Sequence, residues 1–227
     1  MQRFQFYVMT SFWRVTAGIF FLMALSLFFL YPHQNPTGNV VTRLTVISVN
    51  AGTCNLTFSS GWNLVSYPCV PFTGYEPYDF LNSVNGSYVS LHTYIASDTA
   101  DPWKAHNPNL PTWVVQDLAT VYDTKGYWIN ANASDNIYIE STISTPRTLS
   151  LVSGWNLVGY PTHSDRPVNL SLSGVYPYWR EVKYYNTTTS SYFTFSNSTQ
   201  TGDFSNFTHY LGYWIYVTQN GDWIITW

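Results

Sequence analysis

The chain has 227 residues, 9% of them charged and 19% aromatic, with a formal net charge of −3. Ordinary soluble domains carry roughly 25% charged residues, so polarity here rests on hydroxyls and amides, Ser and Thr together numbering 49. With few Lys or Arg and no basic stripe, the chain lacks the footprint of a nucleic-acid binder, and its aromatic content excludes a disordered polymer.

The first feature in chain order is Val15–Tyr31, 17 uncharged residues that include Phe20, Phe21, Leu22 and Leu30. As a helix this run extends about 26 Å, close to the thickness of a bilayer core. Arg3 and Arg14 precede it and no Lys or Arg follows before Arg43, so the positive-inside rule puts the N-terminus in the cytoplasm and everything after Pro32 outside. The expectation is a cytoplasmic stub and uncleaved transmembrane helix over residues 1–31, with the lipid membrane as partner. A secretory signal peptide is the alternative; the length of the run and the lack of an A-x-A-type cleavage site after it, where Pro32-His33-Gln34-Asn35-Pro36 follows, speak against it. Residues 32–53 follow as a stiff Pro/Gly linker, Pro32–Gly38, and a β-rich segment, Asn39–Val49. That segment pairs within its own domain or adds an edge strand to a neighbouring subunit.

The rest of the chain says one phrase twice. Ser60–Pro68 reads SGWNLVSYP and Ser153–Pro161 reads SGWNLVGYP; each is followed by a GYWI, at Gly126–Ile129 and Gly212–Ile215. Short apolar alternations flank both copies, and four matching blocks in one order mark an internal duplication. Ser60-Gly61 is read as the turn of the first hairpin, Asn63 as bonded to nearby backbone, and Pro68 and Pro161 as strand ends. Glu76–Val84 suits one short helix with Pro77 in its first turn. Strands are expected at Tyr88–Tyr94, Trp113-Val114-Val115, Tyr127–Ala131 and Ile137–Ile139. In the second copy they are expected at Val182–Tyr185, Tyr192–Phe195, Tyr213–Val217 and Trp223–Trp227. The predicted fold is all-β: two tandem antiparallel β-domains, sandwich- or barrel-like, at 54–145 and 146–227. Trp62, Trp128, Trp155 and Trp214 recur at matching positions and are assigned to the repeat core, where a buried indole contributes much contact area.

GWNLV-x-YP with a downstream GYWI resembles the β-rich repeats of secreted and surface-layer-associated proteins of archaea, over about Asn55–Trp227. That resemblance implies a structural or adhesive role with no shared catalytic residue. The short, weakly charged, anchored chain also resembles envelope-anchored structural proteins of archaeal viruses, in composition and topology.

Cys54 and Cys69 bracket the first hairpin; their counterparts in the second copy are Arg147 and Thr162. A disulfide in an oxidising exterior is expected, with two free buried thiols as the alternative. Seven N-x-S/T sequons occur, at Asn55, Asn85, Asn132, Asn169, Asn186, Asn197 and Asn206. All lie on the expected outside, so several are expected to be glycosylated, above all in the Asn186–Asn206 stretch, with Asn55 the most enclosed.

Chemistry is harder to find. The five histidines are scattered, and no H-E-x-x-H, G-x-S-x-G or phosphate-binding glycine loop occurs. Thr162-His163-Ser164-Asp165 has triad-like residue types, but triads are defined by geometry. Asp98, Asp101, Asn107 and Asn109 make an oxygen-rich loop without EF-hand spacing. No cofactor or metal is assigned and no enzyme is expected. Two readings follow. One is a membrane-anchored, glycosylated structural or attachment protein with an extracellular or virion-exterior β ectodomain, building an external assembly with its own copies or other surface or virion proteins. The other is a cell-surface carbohydrate-binding module that stacks host or cell-surface glycans on exposed Trp103, Trp113 and Trp179.

Overall fold

Each SGWNLV phrase becomes a strand because a buried asparagine clamps the turn before it. In the computed structural model, which describes residues 48–111 and 113–227, Gly61 and Gly154 take φ of 94° and 107°, a region open to glycine. Asn63 Oδ1 accepts the Ser59 N–H at 3.0 Å, and its Nδ2 donates to the Ser59 and Gly61 carbonyls at 2.7 and 3.0 Å. Asn156 does the same with Val152 and Gly154, at 2.8, 2.7 and 3.1 Å. The asparagine therefore satisfies backbone groups that the tight turn leaves without ladder partners.

Among the described residues, five antiparallel sheets follow from the alternating segments. In the first repeat β1 (Ser48–Phe58) pairs along its whole length with β6 (Asp135–Thr145). Beneath that ribbon lies a sheet in the order β2 (Gly61–Ser66), β5 (Gly126–Ala131), β3 (Tyr88–Tyr94) and β4 (Trp103–His106). Helix α1 (Pro77–Leu81) starts on its proline and runs into a 3-10 turn, Asn82–Val84. The second repeat matches it. A ribbon of β7 (Arg147–Leu151) with β15 (Gly221–Ile225) accompanies a sheet containing β8 (Gly154–Val158), β14 (Tyr213–Val217), β10 (Trp179–Asn186) and β11 (Ser191–Ser196), in that order. β12 (Thr201–Gly202) extends that sheet, β9 (Arg166–Pro167) pairs β13 (Asn206–Phe207), and α2 (Val168–Ser171) answers α1. The chain is thus predominantly β, as the sequence predicts.

Each repeat buries its own core between ribbon, sheet and helix. Leu56, Phe58, Leu91, Tyr127, Ile129 and Ile137 fill the first, with Phe80 and Leu81 from α1. Leu149, Val182, Tyr213, Ile215, Trp223 and Ile225 lead the second, with Val168 from α2. Both cores belong to one compact body. The disulfide joins Cys54 to Cys69 and, with Ile143, forms a small apolar cluster of its own.

Several expectations are corrected. Trp62, Trp128, Trp155 and Trp214 are not in either core. The pleat puts Tyr127 and Ile129 inside and so turns Trp128 outward, with Trp214 likewise between Tyr213 and Ile215. Trp113-Val114-Val115 forms no strand, and its chain turns through a Val114 N–H bond to the Pro111 carbonyl. Trp179 is 1% exposed, stacked on Phe195 and facing Val217, so it offers no surface to a sugar. Within Asn39–Val49, Ser48 and Val49 pair inside the chain with Thr145 and Ser144. The remainder of that segment and Val15–Tyr31 lie outside the described residues. Among the described residues no helix is long and apolar enough to cross a membrane.

Candidate functional site

Two neighbouring aromatic concavities, one per repeat, collect the outward-facing side chains of the main sheets. The register lays Trp128 beside Leu64 on β2 and His92 on β3, while Trp103 on β4 faces Tyr94. Trp62, His92, Trp103 and Trp128, with Tyr185 from the second repeat, line a cavity of about 410 Å³, site 1. Trp155, Lys183, Tyr192 and Trp214, with Tyr94 from the first repeat, line one of about 440 Å³, site 2. Strand registers match the two residue by residue. His92 faces Trp128 as Lys183 faces Trp214, and Tyr94 faces Trp103 as Tyr185 faces Tyr192.

The rings are held edge-on rather than left loose. Trp62 meets Trp128 at 6.1 Å and 83°, and Trp155 meets Trp214 at 6.4 Å and 88°. Such T-shaped contacts suit the ring quadrupole, and all four indoles line the cavities. Trp62 keeps 44% of its surface exposed. Each site also borrows from the other repeat: Tyr185 lies 5.0 Å from Trp128, and Tyr94 5.2 Å from Trp214.

The polar equipment differs. In site 1 His92 Nε2 lies 2.9 Å from the Ser90 hydroxyl, and burial holds its imidazole below its usual value against the opposing pull of Asp117. Burial therefore favours the uncharged imidazole in site 1. In site 2 the matching pair is Lys183 and Glu181, 3.5 Å apart, with the ammonium 4.9 Å from the Trp155 ring centre.

The repeats approach this closely because the GYWI glycines permit it. A Cβ on Gly126 would stand 2.8 Å from the Val158 carbonyl oxygen and from Leu157 Cδ1; one on Gly212 would stand 2.7 Å from the Val65 oxygen and 3.0 Å from Leu64 Cδ1. Leu64 and Leu157, outward-facing by their register with Trp128 and Trp214, are buried here by the opposite repeat.

The remaining candidates resolve individually. Trp103 lines site 1, whereas Trp113 is 81% exposed on a separate loop. The oxygen-rich loop is not a calcium cradle: Lys104 Nζ lies 3.0 Å from Asp98, 3.1 Å from Asp101 and 3.9 Å from Asp117, so an ammonium already holds the carboxylates. Asn107 and Asn109 bond within their own turn. The triad-like run does not converge. His163 turns its Nε2 to the disulfide, 3.5 Å from Cys54 Sγ and 3.6 Å from Cys69 Sγ, while Asp165 holds His209 Nδ1 at 2.9 Å.

Of the sequons, Asn85, Asn132, Asn169 and Asn206 are exposed. Asn55 is exposed too, correcting the expectation that it is enclosed, and accepts a bond from Asn136 Nδ2. Asn186 uses its Oδ1 on the Thr188 and Thr189 N–H groups. Asn197 is buried, its Nδ2 donating to the Trp179 carbonyl, and has no amide free for a glycan.

Sequence reasoning missed His92, Tyr94, Lys183, Tyr185 and Tyr192 as site residues. The usable signal was parity: in Gly-Tyr-Trp-Ile a buried Tyr and Ile force the Trp onto the other face, where cross-strand neighbours join it. No family model, curated protein or solved structure matches this chain.

Proposed function

We propose that this chain is a non-enzymatic attachment protein, displayed outside a membrane on its N-terminal apolar segment, that holds glycans in sites 1 and 2. One observation carries the reading: the tryptophans repeated by the duplication are withheld from both cores and held edge-braced around open cavities. Trp62 keeps 44% of its surface exposed, more than packing alone asks of an indole. A pyranose ring offers an apolar face to an indole and hydroxyls to a nearby rim. His92 in site 1, backed by the buried Ser90 hydroxyl, and Lys183 in site 2 supply polar groups for that rim. The exposed sequons fit an external location, and the tandem twin-unit, sandwich-like ectodomain of an archaeal surface or enveloped virus protein fits the duplication.

An assembly role is favoured by a different observation. The loop Asn107–Gln116 carries no charge and leaves Trp113 81% and Val115 90% exposed, which suits contact with a neighbouring copy.

A glycan array probed with the full chain, beside Trp62→Ala/Trp128→Ala and Trp155→Ala/Trp214→Ala variants, tests the main reading. Binding that falls in both variants supports it. No binding to any glycan, with self-association abolished by Trp113→Asp, would leave assembly as the function.

A further inference from the structure

The contacts between the repeats are reciprocal. Gly126 approaches Leu157 and Val158 as Gly212 approaches Leu64 and Val65. Ser66 N–H donates to the Tyr210 carbonyl as Gly159 N–H donates to that of Thr124. Isolated bridges join Val65 to Leu211 and Lys125 to Val158. Trp103, Tyr94 and Trp214 cluster with centroids 5.2–6.0 Å apart, and Tyr192, Tyr185 and Trp128 do so at 5.0–6.3 Å.

Reciprocity fixes the symmetry. When residue i of one unit meets residue j of the other, and j of the first meets i of the second, the relation is a two-fold rotation. A tandem translation would instead send each unit's contact on to a third. The duplicated halves are thus related as the subunits of an isologous dimer, inside one chain.

A two-fold axis reverses every direction perpendicular to it, and the line that joins a site to its two-fold mate is perpendicular to the axis. A polysaccharide strand has a reducing and a non-reducing end. If site 1 reads it forwards, a strand running on into site 2 arrives backwards relative to the equivalent rings there. The sites also adjoin: Trp103 and Trp128 of site 1 lie 6.0 and 6.3 Å from Trp214 and Tyr192 of site 2.

Resting on the glycan reading above, we infer that one molecule holds two glycan segments, one in each site and related by the two-fold, and so bridges two strands rather than following one. Bridging turns modest single-site affinity into avidity on a surface dense with glycan ends.

The test uses the full chain in detergent micelles and a β1,4-linked N-acetylglucosamine hexasaccharide carrying a nitroxide at its reducing end. Calorimetry should give two hexasaccharides per chain, falling to one in Trp62→Ala/Trp128→Ala and to one in Trp155→Ala/Trp214→Ala. In the parent, the nitroxide should broaden the indole signals of Trp62 and Trp155 alike. One hexasaccharide per chain, lost in either variant and broadening only one of those indoles, would overturn the bridging inference and leave the glycan reading standing. No uptake of the hexasaccharide, together with an empty glycan array, would overturn both.

Discussion

Asn156→Ala isolates what the repeated asparagine does. Its amide is buried and makes three short backbone bonds: from the Val152 N–H at 2.8 Å, and to the Val152 and Gly154 carbonyls at 2.7 and 3.1 Å. Removing it strips three partners from a turn whose glycine already sits at φ 107°. At about 1 kcal/mol for each intramolecular bond lost, the change should cost about 2–4 kcal/mol. Against a typical domain stability of about 5–15 kcal/mol that is a large fraction. The second copy is the better place to measure it, because the first is also closed by the disulfide. In urea, with a slope of about 1–3 kcal/mol per molar, the midpoint should fall by about 1–2 M. Hydrogen exchange at the Val152 amide, in the turn before β8, should accelerate more than exchange within β8. Asn156→Asp keeps the acceptor but sets a carboxylate against two carbonyls, so it should be at least as destabilising near neutrality and recover partly in acid. A midpoint within about 0.3 M of the parent for Asn156→Ala would show that water replaces the amide, and the clamp argument would fail.

Other outcomes follow from the same structure. Reducing the Cys54–Cys69 bond, whose partners are 15 residues apart, should lower stability by about 3 kcal/mol in the chain-entropy account, read as a fall in melting temperature with reductant. Gly212→Val puts carbon 2.7 Å from the Val65 oxygen; overpacking of about 1–3 kcal/mol is expected. Glycan binding should weaken in both sites together, since each borrows a tyrosine across that contact. Asp123 is buried against Arg147, and burial outweighs that partner, lifting its carboxyl above the usual 3.8. A raised acid binds more protons folded than unfolded. Its contribution is therefore full below pH 3.8 and lost as pH rises through the folded value, and Asp123→Asn should flatten that fall in melting curves taken from about pH 3 to about pH 7.

The duplication, most strands, the α1 proline start and the disulfide were legible because they depend on local pattern. The burial of the tryptophans was not, because recurrence at matching positions reports selection on a residue without saying which face it serves. Parity would have decided Trp128 and Trp214, but parity fails where a strand bulges. The register slips between Tyr88 and Ser90 and again between Trp179 and Glu181. That slip puts Trp179 in the core while His92 and Lys183 face the sites. His163 reaches the disulfide across 94 and 109 residues of sequence, and no spacing rule foretells such a meeting. Lys104 among three aspartates shows the same gap: a loop read as oxygen-rich had its cation built in.

Trp155 and Asn156 are adjacent in the motif and point to opposite faces, so substituting each in turn separates architecture from recognition. If Trp155 were a core residue, Trp155→Ala would cost about 3–5 kcal/mol. The structure places it on the outer face, against Trp214, Tyr216 and the Lys183 ammonium, where truncation should cost about 1–2 kcal/mol. The stability order should therefore be Asn156→Ala below Trp155→Ala, and the binding order the reverse, with site 2 emptied by the tryptophan change in a chain that still folds. Trp62→Ala should reproduce this in site 1, because the two-fold sets Trp62 edge-on to Trp128 as Trp155 is to Trp214. A Trp155→Ala protein that unfolds as readily as Asn156→Ala would return the indole to the core and remove the ground for reading either cavity as a binding site.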